Sequence, residues 1–398
     1  MKKFLIVLMV LCLVAAAGIG LDYAAGGKLP APPAAAEAAP SSAPAATTVP
    51  VSGIDYDALY ALHEPDEVVM TVGGKDIPWS EYFYYLSRQS QSVESYFNMM
   101  AAYGMAADWD DPVDGGEETY QQLTLESAEA TAQSLTAMGS FAEEQGFTLS
   151  EEDRAAIETK AESDYAAIGG EGATREDFEA YLETIYLPAA LYDRMNELSV
   201  LYQNGFAQLY GENGEKLSDE EAMAYLEDNA YMAANHILLM TIDPATYEAL
   251  DEETVAAKKA QAEEIAAELR AITDTEELLT RFAELKEELD EDTGKVVYPD
   301  GYVFLPGEMV PEFEETAKSQ EAYQVSEPVE STYGYHIILT LPLDPDAVLS
   351  YSSEGSPMTA RSTAANEAYS QALDDYTLKQ EIVYAEGFEP PVLKDYLK

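Results

Sequence analysis

The sequence has little cysteine and little positive charge, and both shortages narrow what the protein can do. Its single cysteine, Cys12, lies inside an apolar N-terminal run, so no disulfide, thiolate metal site or cysteine nucleophile is available to the folded body. Lysine and arginine number 21 against 75 aspartates and glutamates, which gives a formal net charge of -54. Such an acidic surface repels phosphate backbones and anionic lipids, which argues against a partner made of nucleic acid. Two interpretations of this charge stay open: solubility alone, and recognition of cationic clients.

Apolar residues are plentiful, at 47% of the 398 residues, enough for two or three domains with at least one sizeable core. The first apolar run, residues 4–21, follows Lys2 and Lys3 and is typical of an export signal. It is also just long enough to cross a bilayer. A cleaved signal, a retained anchor and a lipid on Cys12 all stay open, and each places the body outside the cytoplasm.

Two N-terminal segments are therefore set apart from the folded body. Residues 1–27 are predicted to be the signal peptide or membrane anchor, which is the one part expected to meet a membrane. Residues 28–52 are rich in Ala, Pro, Ser and Thr, a composition that buries too little apolar surface to offset the entropy of ordering. We expect a flexible linker there.

The body opens with a region that is predicted to be mostly helical, over 53–230. A β-branched run at 68–72 that ends in two glycines predicts a strand and a turn, and a helix is expected to follow from Pro78. Between 117 and 229 we expect four or so helices. Three of their starts carry a hydroxyl residue with an acid three positions later, the pattern of a capping box: Ser150 with Asp153, Thr174 with Asp177, and Ser218 with Glu221.

Aromatic and methionine side chains are concentrated between residues 82 and 109. Tyr and Met suit adaptable binding surfaces because both offer apolar area without demanding one geometry. A packed core and a groove for unfolded clients both account for them, and the sequence leaves both open. The residues are Tyr82, Phe83, Tyr84, Tyr85, Tyr96, Phe97, Met99, Met100, Tyr103, Met105 and Trp109.

The pattern changes after residue 230. It predicts a strand at 233–240, two helices, a strand near 301–304, a helix, and two strands on either side of 331–334. The helices are expected at 251–272, 276–288 and 310–319. A last helix is predicted over 359–386.

Three separated motifs in this part resemble the parvulin family of peptidyl-prolyl isomerases. They are Asn235-His236-Ile237-Leu238-Leu239, the run from Tyr302 to Phe313, and Gly334-Tyr335-His336-Ile337-Ile338. The predicted order of strands and helices is also the order that parvulins use. The rest of the chain is similar to secreted foldases of the PrsA/SurA type.

The resemblance implies an α+β fold. In it, a mostly helical PrsA/SurA-like chaperone module carries an inserted parvulin domain, a four-stranded antiparallel sheet flanked by helices. We assign the parvulin domain to 231–344 and expect 345–398 to return to the chaperone module.

The reaction of parvulins is rotation about an X-Pro peptide bond, in which no covalent bond is made or broken. It needs no nucleophile, metal or cofactor, and we expect no cofactor here. It needs an apolar slot for the proline ring and polar groups that favour the twisted amide. Met309 and Phe313 lie four residues apart, on one face of a predicted helix, and Phe304 precedes them. These three are expected to form the slot, and ordinary core packing is the alternative.

The resemblance implies the polar groups. His236 and His336, two of only three histidines, match family histidines that face each other beneath the substrate bond. Asp292 falls where parvulins carry a Cys or an Asp, although it is also one acid of an acidic loop. Ser331 and Tyr333 fall where family hydroxyl groups extend the network. We assign Ser331 to catalysis with the histidines and Asp292, and Tyr333 to substrate binding. A two-histidine metal site is an alternative without an evident third ligand.

One segment departs from the parvulin pattern. Where the family commonly carries Gly-Gly-x-Leu-Gly, this chain has Tyr298-Pro299-Asp300-Gly301-Tyr302, and Glu308 replaces a commoner Gln. Fewer glycines narrow the backbone conformations open to this loop. The fold is expected to survive, whereas the effect on the catalytic rate stays open. No basic cluster is evident that would bind a phosphorylated residue before proline.

These observations predict an extracytoplasmic foldase. It would isomerise X-Pro bonds in unfolded or newly exported polypeptides and bind such clients through its helical module. Two alternatives remain: a chaperone whose parvulin domain is a binding scaffold with little or no catalysis, and a surface-anchored interaction protein that kept only the fold. Whether the molecule forms a homodimer is left open.

Overall fold

In this computed structural model the described residues are 53–170, 172–352 and 355–398. Contacts divide the chain into two compact units, Met1–Gln208 with Tyr369–Lys398, and Leu209–Ala368. The predicted segments 1–27 and 28–52 lie outside the described residues. Within the described ranges, no helix has both the length and the apolar character needed to cross a membrane.

The first unit contains a small antiparallel sheet built from both ends of the folded chain. Strands β1 (Val68–Val72) and β2 (Lys75–Pro78) form a hairpin across Gly73 and Gly74, both of which have positive φ. Strand β9 (Ile382–Tyr384) pairs with the other edge of β1. The sequence-based prediction of one helix over 359–386 is therefore wrong in its last third. The β-branched run at Ile382 and Val383 bonds to β1 and forms a strand.

Helices make up most of the chain from 79 to 228. The capping boxes predicted at Ser150, Thr174 and Ser218 are confirmed, since each hydroxyl accepts a hydrogen bond from the amide three residues on, and each acid bonds back. Five helices occupy the described part of 117–229, where four or so were expected. The helices to this point are α1 (Tyr56–Tyr60), α2 (Trp79–Ala102), α3 (Tyr120–Gln145), α4 (Glu151–Gly169), α5 (Arg175–Thr184), α6 (Ala189–Tyr210) and α7 (Asp219–Asp228).

The aromatic and methionine residues of 82–109 differ in burial, with Tyr96 and Met100 half-buried. Most are core, as the burial of Tyr82, Phe83, Tyr84, Tyr85, Phe97 and Trp109 shows. Met99, Tyr103 and Met105 are exposed, at 50%, 76% and 46% of their surface. Core packing accounts for the buried residues, and a client groove stays a prediction that concerns only the exposed ones.

The second unit is organised by a four-stranded antiparallel sheet in the order β4-β3-β6-β5. Its strands are β3 (Met232–Met240), β4 (Tyr302–Phe304), β5 (Val329–Glu330) and β6 (Gly334–Thr340), and the helices between them are α8 (Glu252–Ala271), α9 (Thr275–Leu289) and α10 (Pro311–Ser319). The predicted α+β class and the predicted order of these elements are confirmed.

The alternation of side chains along β3 and β6 places the aliphatic core on one face of the sheet and the site on the other. Because successive side chains of a strand point to opposite faces, Ile237 and Ile337 pack with α8 and α9 in one cluster. On the other face, Ala234 and Ile338 pack with Phe304 and Phe313. His236 and His336 belong to this second face by the same alternation. One face of the sheet is thus aliphatic and buried, and the other face carries the histidines and packs against α10.

The second unit also contains α7, the paired strands β7 (Val348–Tyr351) and β8 (Pro357–Thr359), and the first part of α11 (Ala360–Thr377). Arg361 joins them: it donates hydrogen bonds to Asp346, Asp219 and the carbonyl of Leu217. This unit begins at 209 and ends at 368. The domain limits expected at 231 and 344 stay a prediction.

Gly334, at the start of β6, provides a test of this sheet. Its φ is +150°, and a Cβ there would lie 2.1 Å from the carbonyl oxygen of Leu239. Gly334→Ala is expected to lower the stability of β6 by about 3 kcal/mol, from backbone strain of about 1–2 kcal/mol and overpacking of about 1–3 kcal/mol. Hydrogen exchange of the β6 amides measures this change.

Gly307→Ala is the matched control. Gly307 also has positive φ, +90°, but no atom lies within 4 Å of the place that an added methyl group would occupy, so the expected cost is the backbone strain alone, about 1–2 kcal/mol. Equal losses in the two variants would contradict the close approach of β3 at Gly334.

Candidate active site

A cavity of about 350 Å³ opens on the sheet face that carries the histidines. Of the eight residues predicted for the site, six line it: His236, Asp292, Met309, Phe313, Tyr333 and His336. The exposed side chains of Tyr333 and Tyr247 stand at its rim. The roles of these residues stay a prediction, but the structure brings them to one place.

The other two predicted residues lie behind the lining. Phe304 is only 1% exposed, and its ring packs at 5.7 Å from the ring of Phe313. It was expected to be a wall of the slot, and the structure places it as a support of Phe313 instead. Ser331 reaches the site through His336, whose Nε2 lies 2.7 Å from the serine Oγ.

The two histidines face each other across β3 and β6. Their Nδ1 atoms are 3.0 Å apart, and their rings stack at 5.2 Å with an interplanar angle of 18°. The outer nitrogens bond elsewhere: Nε2 of His236 lies 3.0 Å from Oδ2 of Asp292, and Nε2 of His336 bonds to Ser331. One chain of hydrogen bonds therefore runs from Asp292 to Ser331.

The carboxylate acceptor at the Asp292 end determines the donor and acceptor of each hydrogen bond in this series. An ionised carboxylate only accepts, so His236 donates from Nε2 to Asp292. In a ring with a single proton, its Nδ1 then accepts. His336 must then donate from Nδ1 and accept at Nε2 from the hydroxyl of Ser331. That hydroxyl oxygen in turn accepts from the amide of Tyr333, at 3.1 Å. Each imidazole in this assignment is neutral and has both nitrogens satisfied.

The electrostatics agree with a neutral His336 and a charged Asp292. Burial, with the positive charge that His236 would carry when protonated, lowers the pKa of His336 to about 3. Burial alone would raise the pKa of Asp292. Hydrogen bonds from His236, Tyr302 and the amide of Gly294 outweigh it and hold the pKa well below 3.8.

The loop that carries Asp292 is held by a second aspartate. Asp290 is 5% exposed, and its Oδ1 accepts from the amides of Leu238 and Asp292, at 2.8 and 3.1 Å. Lys295 also donates to the backbone carbonyl of Asp290. Sequence reasoning missed Asp290, because in a loop with several acids no single one stands out.

Phe313 connects the apolar part of the site to the polar part. Its ring meets His236 edge to face at 5.3 Å and 88°, and His336 at 5.7 Å and 77°. Helix α10 positions it, with Pro311 in the first turn, where its missing amide is no loss. Met309, which is partly buried, precedes the helix and lines the same cavity.

Tyr302 is a site residue that sequence reasoning did not select. It lines the cavity, and its hydroxyl lies 2.5 Å from Oδ2 of Asp292. The available signal was the departure from the parvulin glycine run, which ends at Tyr302. Throughout 53–170, 172–352 and 355–398, no group of three or more His, Cys, Asp or Glu side chains is arranged to hold a metal ion.

The comparison with protein families agrees with this geometry. Residues 236–341 match the family described as Rotamase, the PPIC-type PPIase domain. This part of the chain is therefore a parvulin-type peptidyl-prolyl isomerase domain, as the motifs had predicted.

Relatives of the chain are foldase proteins called PrsA. It is 34% identical over 188 residues to PrsA of Halalkalibacterium halodurans, an alignment covering 46% of this chain and 45% of that protein. It is 29% identical over 224 residues to PrsA of Oceanobacillus iheyensis, covering 56% and 62%. The chain thus spans less than two thirds of the length of either relative.

A solved structure gives a weaker likeness. The crystal structure of peptidylprolyl isomerase PrsA from Bacillus cereus aligns over 69% of this chain and 92% of its own, at 18% identity and a TM-score of 0.25. So low a score supports no argument about this chain.

The low pKa of His336 leads to a prediction about pH. Since the folded-state pKa of about 3 lies below the usual 6.5, the unfolded chain binds more protons between these values. The stability contributed by neutral His336 is complete above pH 6.5 and is lost as the pH falls toward 3. In NMR titrations, the His336 ring signals should not titrate between pH 8 and 5.

The His336 ring signals are assigned as those that are missing from the spectrum of the His336→Gln variant. A His336 titration with a midpoint near 6.5 would contradict the neutral, hydrogen-bonded ring.

Proposed function

We propose that the chain is a peptidyl-prolyl cis/trans isomerase that acts on X-Pro bonds of polypeptide clients. The observation that carries the proposal is the cavity of the second unit, in which apolar Met309 and Phe313 adjoin the hydrogen-bond chain from Asp292 to Ser331. The match of residues 236–341 to the PPIC-type family supports it.

The chemistry requires only that the twisted amide be favoured over the planar one. The uncatalysed barrier is about 18–20 kcal/mol, and a lowering of about 5 kcal/mol gives a factor of several thousand. Met309 and Phe313 supply apolar surface for the proline ring. Asp292 keeps a negative charge beside the amide, in a site fixed before the substrate arrives. The histidines hold Asp292 and Ser331 in place and transfer no proton.

We further propose that the whole protein is an extracytoplasmic foldase. The similarity to PrsA foldases supports this, as does the export-like run at 4–21. Its clients would be unfolded or newly exported polypeptides. The exposed Met99, Tyr103 and Met105 of the first unit are candidates for apolar client contact.

A chaperone without useful catalysis is the second candidate, and one observation favours it. The loop at 298–302 has one glycine, Gly301, where parvulins commonly carry three, and it also contains two tyrosines. This scaffold would bind proline-containing segments in the same cavity without accelerating their exchange.

Exchange NMR on a proline-containing peptide distinguishes the two candidates. We expect the full chain to accelerate cis/trans exchange. Met309→Ala should lower kcat/KM about tenfold, because it removes about 1–2 kcal/mol of apolar contact with the proline ring. His336→Ala should lower it at least as much, because it breaks the chain between Ser331 and Asp292.

Met358→Ala is the matched control for the methionine. Met358 lies on β8 of the same unit, 38% exposed, and does not line the cavity, so its truncation should leave exchange unchanged. No acceleration by the folded parent chain would remove the enzyme claim and leave the scaffold.

The charge of the cavity predicts a preference among clients. Its lining includes Asp292 and Glu308 and contains no Lys or Arg. A peptide with Lys before proline should therefore be turned over about fivefold better than one with Glu there, at low salt, since one partly exposed ion pair is worth about 1 kcal/mol.

Glu308→Gln should reduce that ratio. Glu312→Gln, which removes a nearby exposed charge on α10 outside the lining, should leave it. A ratio that is the same in the parent and in Glu308→Gln would show that the acidic lining does not select clients.

A further inference from the structure

Tyr302 contacts the catalytic carboxylate more closely than either histidine does. Its hydroxyl lies 2.5 Å from Oδ2 of Asp292, against 3.0 Å for Nε2 of His236 on the same oxygen. The amide of Gly294 donates to the other oxygen, Oδ1, at 3.0 Å. Asp292 thus receives three hydrogen bonds, from β3, from β4 and from its own loop.

The tyrosine is the donor in this contact. Burial, followed by the hydrogen bond to Asp292 and the negative charge of that residue, raises the pKa of Tyr302 far above 10. The hydroxyl therefore stays protonated, and an ionised carboxylate can only accept. A hydrogen bond to a charged acceptor is about twice as strong as one between neutral groups.

The backbone around Tyr302 is shaped to admit its hydroxyl. A Cβ on Gly294 would lie 2.0 Å from the hydroxyl oxygen, so any larger residue there would displace it. Gly301, with φ +107°, lets β4 approach β3, since a Cβ there would lie 2.8 Å from the carbonyl of Ala234. Gly294 thus leaves space for the hydroxyl, and Gly301 lets the start of β4 lie close to β3.

The ring of Tyr302 also belongs to the site. It lines the cavity and meets the ring of His236 edge to face, at 5.7 Å and 83°. The side chain thus contacts both members of the Asp292–His236 pair, through its hydroxyl and through its ring.

We propose that Tyr302 is a positioning residue of the active site, which fixes the Asp292 carboxylate and thereby the donor direction of His236 and His336. This inference rests on the proposed function for its effect on rate, but its geometric content is independent of catalysis. The carboxylate would otherwise turn about its Cβ–Cγ bond and offer His236 a weaker acceptor.

Tyr302→Phe tests the proposal. In exchange NMR on the full chain, we expect kcat/KM to fall about tenfold, with the loss in kcat and KM changed less than twofold. The carboxyl carbon of Asp292, followed by ¹³C NMR, should titrate at higher pH than in the parent. Asp290, Lys286 and His336 also act on this carboxyl, but they are the same in both proteins.

Tyr298→Phe is the matched control. Its ring packs at 5.2 Å from that of Tyr302, but its hydroxyl makes no hydrogen bond to Asp292 and it does not line the cavity. Removing this hydroxyl should change neither kcat/KM nor the Asp292 titration.

Gly294→Ala is a second variant, which keeps the backbone amide that donates to Asp292. It keeps the tyrosine hydroxyl but fills its place, so it should raise the Asp292 titration midpoint as Tyr302→Phe does. An unchanged Asp292 titration in both variants would overturn the proposal. If the parent chain does not catalyse exchange, the proposed function fails, while the carboxyl titration still decides whether Tyr302 fixes Asp292.

Discussion

The structure of the second unit depends on one contact, the pair of Nδ1 atoms of His236 and His336 that meet at 3.0 Å. Both side chains are almost fully buried, at 5% and 4% exposure, and a buried polar group without a partner is costly. One nitrogen must donate and the other must accept. For two singly protonated rings, that choice also determines which outer nitrogen donates and which accepts.

The sheet makes the contact available. In the antiparallel pairing of β3 with β6, Leu238 lies opposite His336 and Ile338 opposite His236, so the two histidines are diagonal neighbours on one face. A slip of one residue in either strand would turn the histidine of that strand into the aliphatic core of α8 and α9. Burial of Ile237 and Ile337 on that face therefore also fixes the site. The loop after α9 completes the arrangement, because Asp290 holds it to β3 through the amide of Leu238 and Asp292 then reaches His236.

Much of this could be predicted from the sequence. The helix starts at Ser150 and Thr174 could be predicted because a capping box depends only on residues that are close together in the sequence. His236, His336 and Asp292 could be expected to lie together because the parvulin motifs record their positions along strands and loops, and their roles stay a prediction. Whether the ring of Phe304 reaches the cavity or stops behind Phe313 could not be predicted, because a position in the sequence does not record how far a ring extends. Strand β9 could not be predicted, because it depends on the free edge of β1, more than 300 residues earlier. The place of Tyr302 could not be predicted either, because it depends on the close approaches that Gly294 and Gly301 allow.

The protonation state of the two histidines provides the sharpest test of this site. With ¹⁵N-labelled histidine in the full chain at pH 7, we predict that His236 carries its proton on Nε2 and His336 on Nδ1. A scalar coupling should connect the two Nδ1 atoms across their hydrogen bond. A doubly protonated ring, or the opposite tautomers without a coupling, would contradict the hydrogen-bond chain on which the proposed site depends.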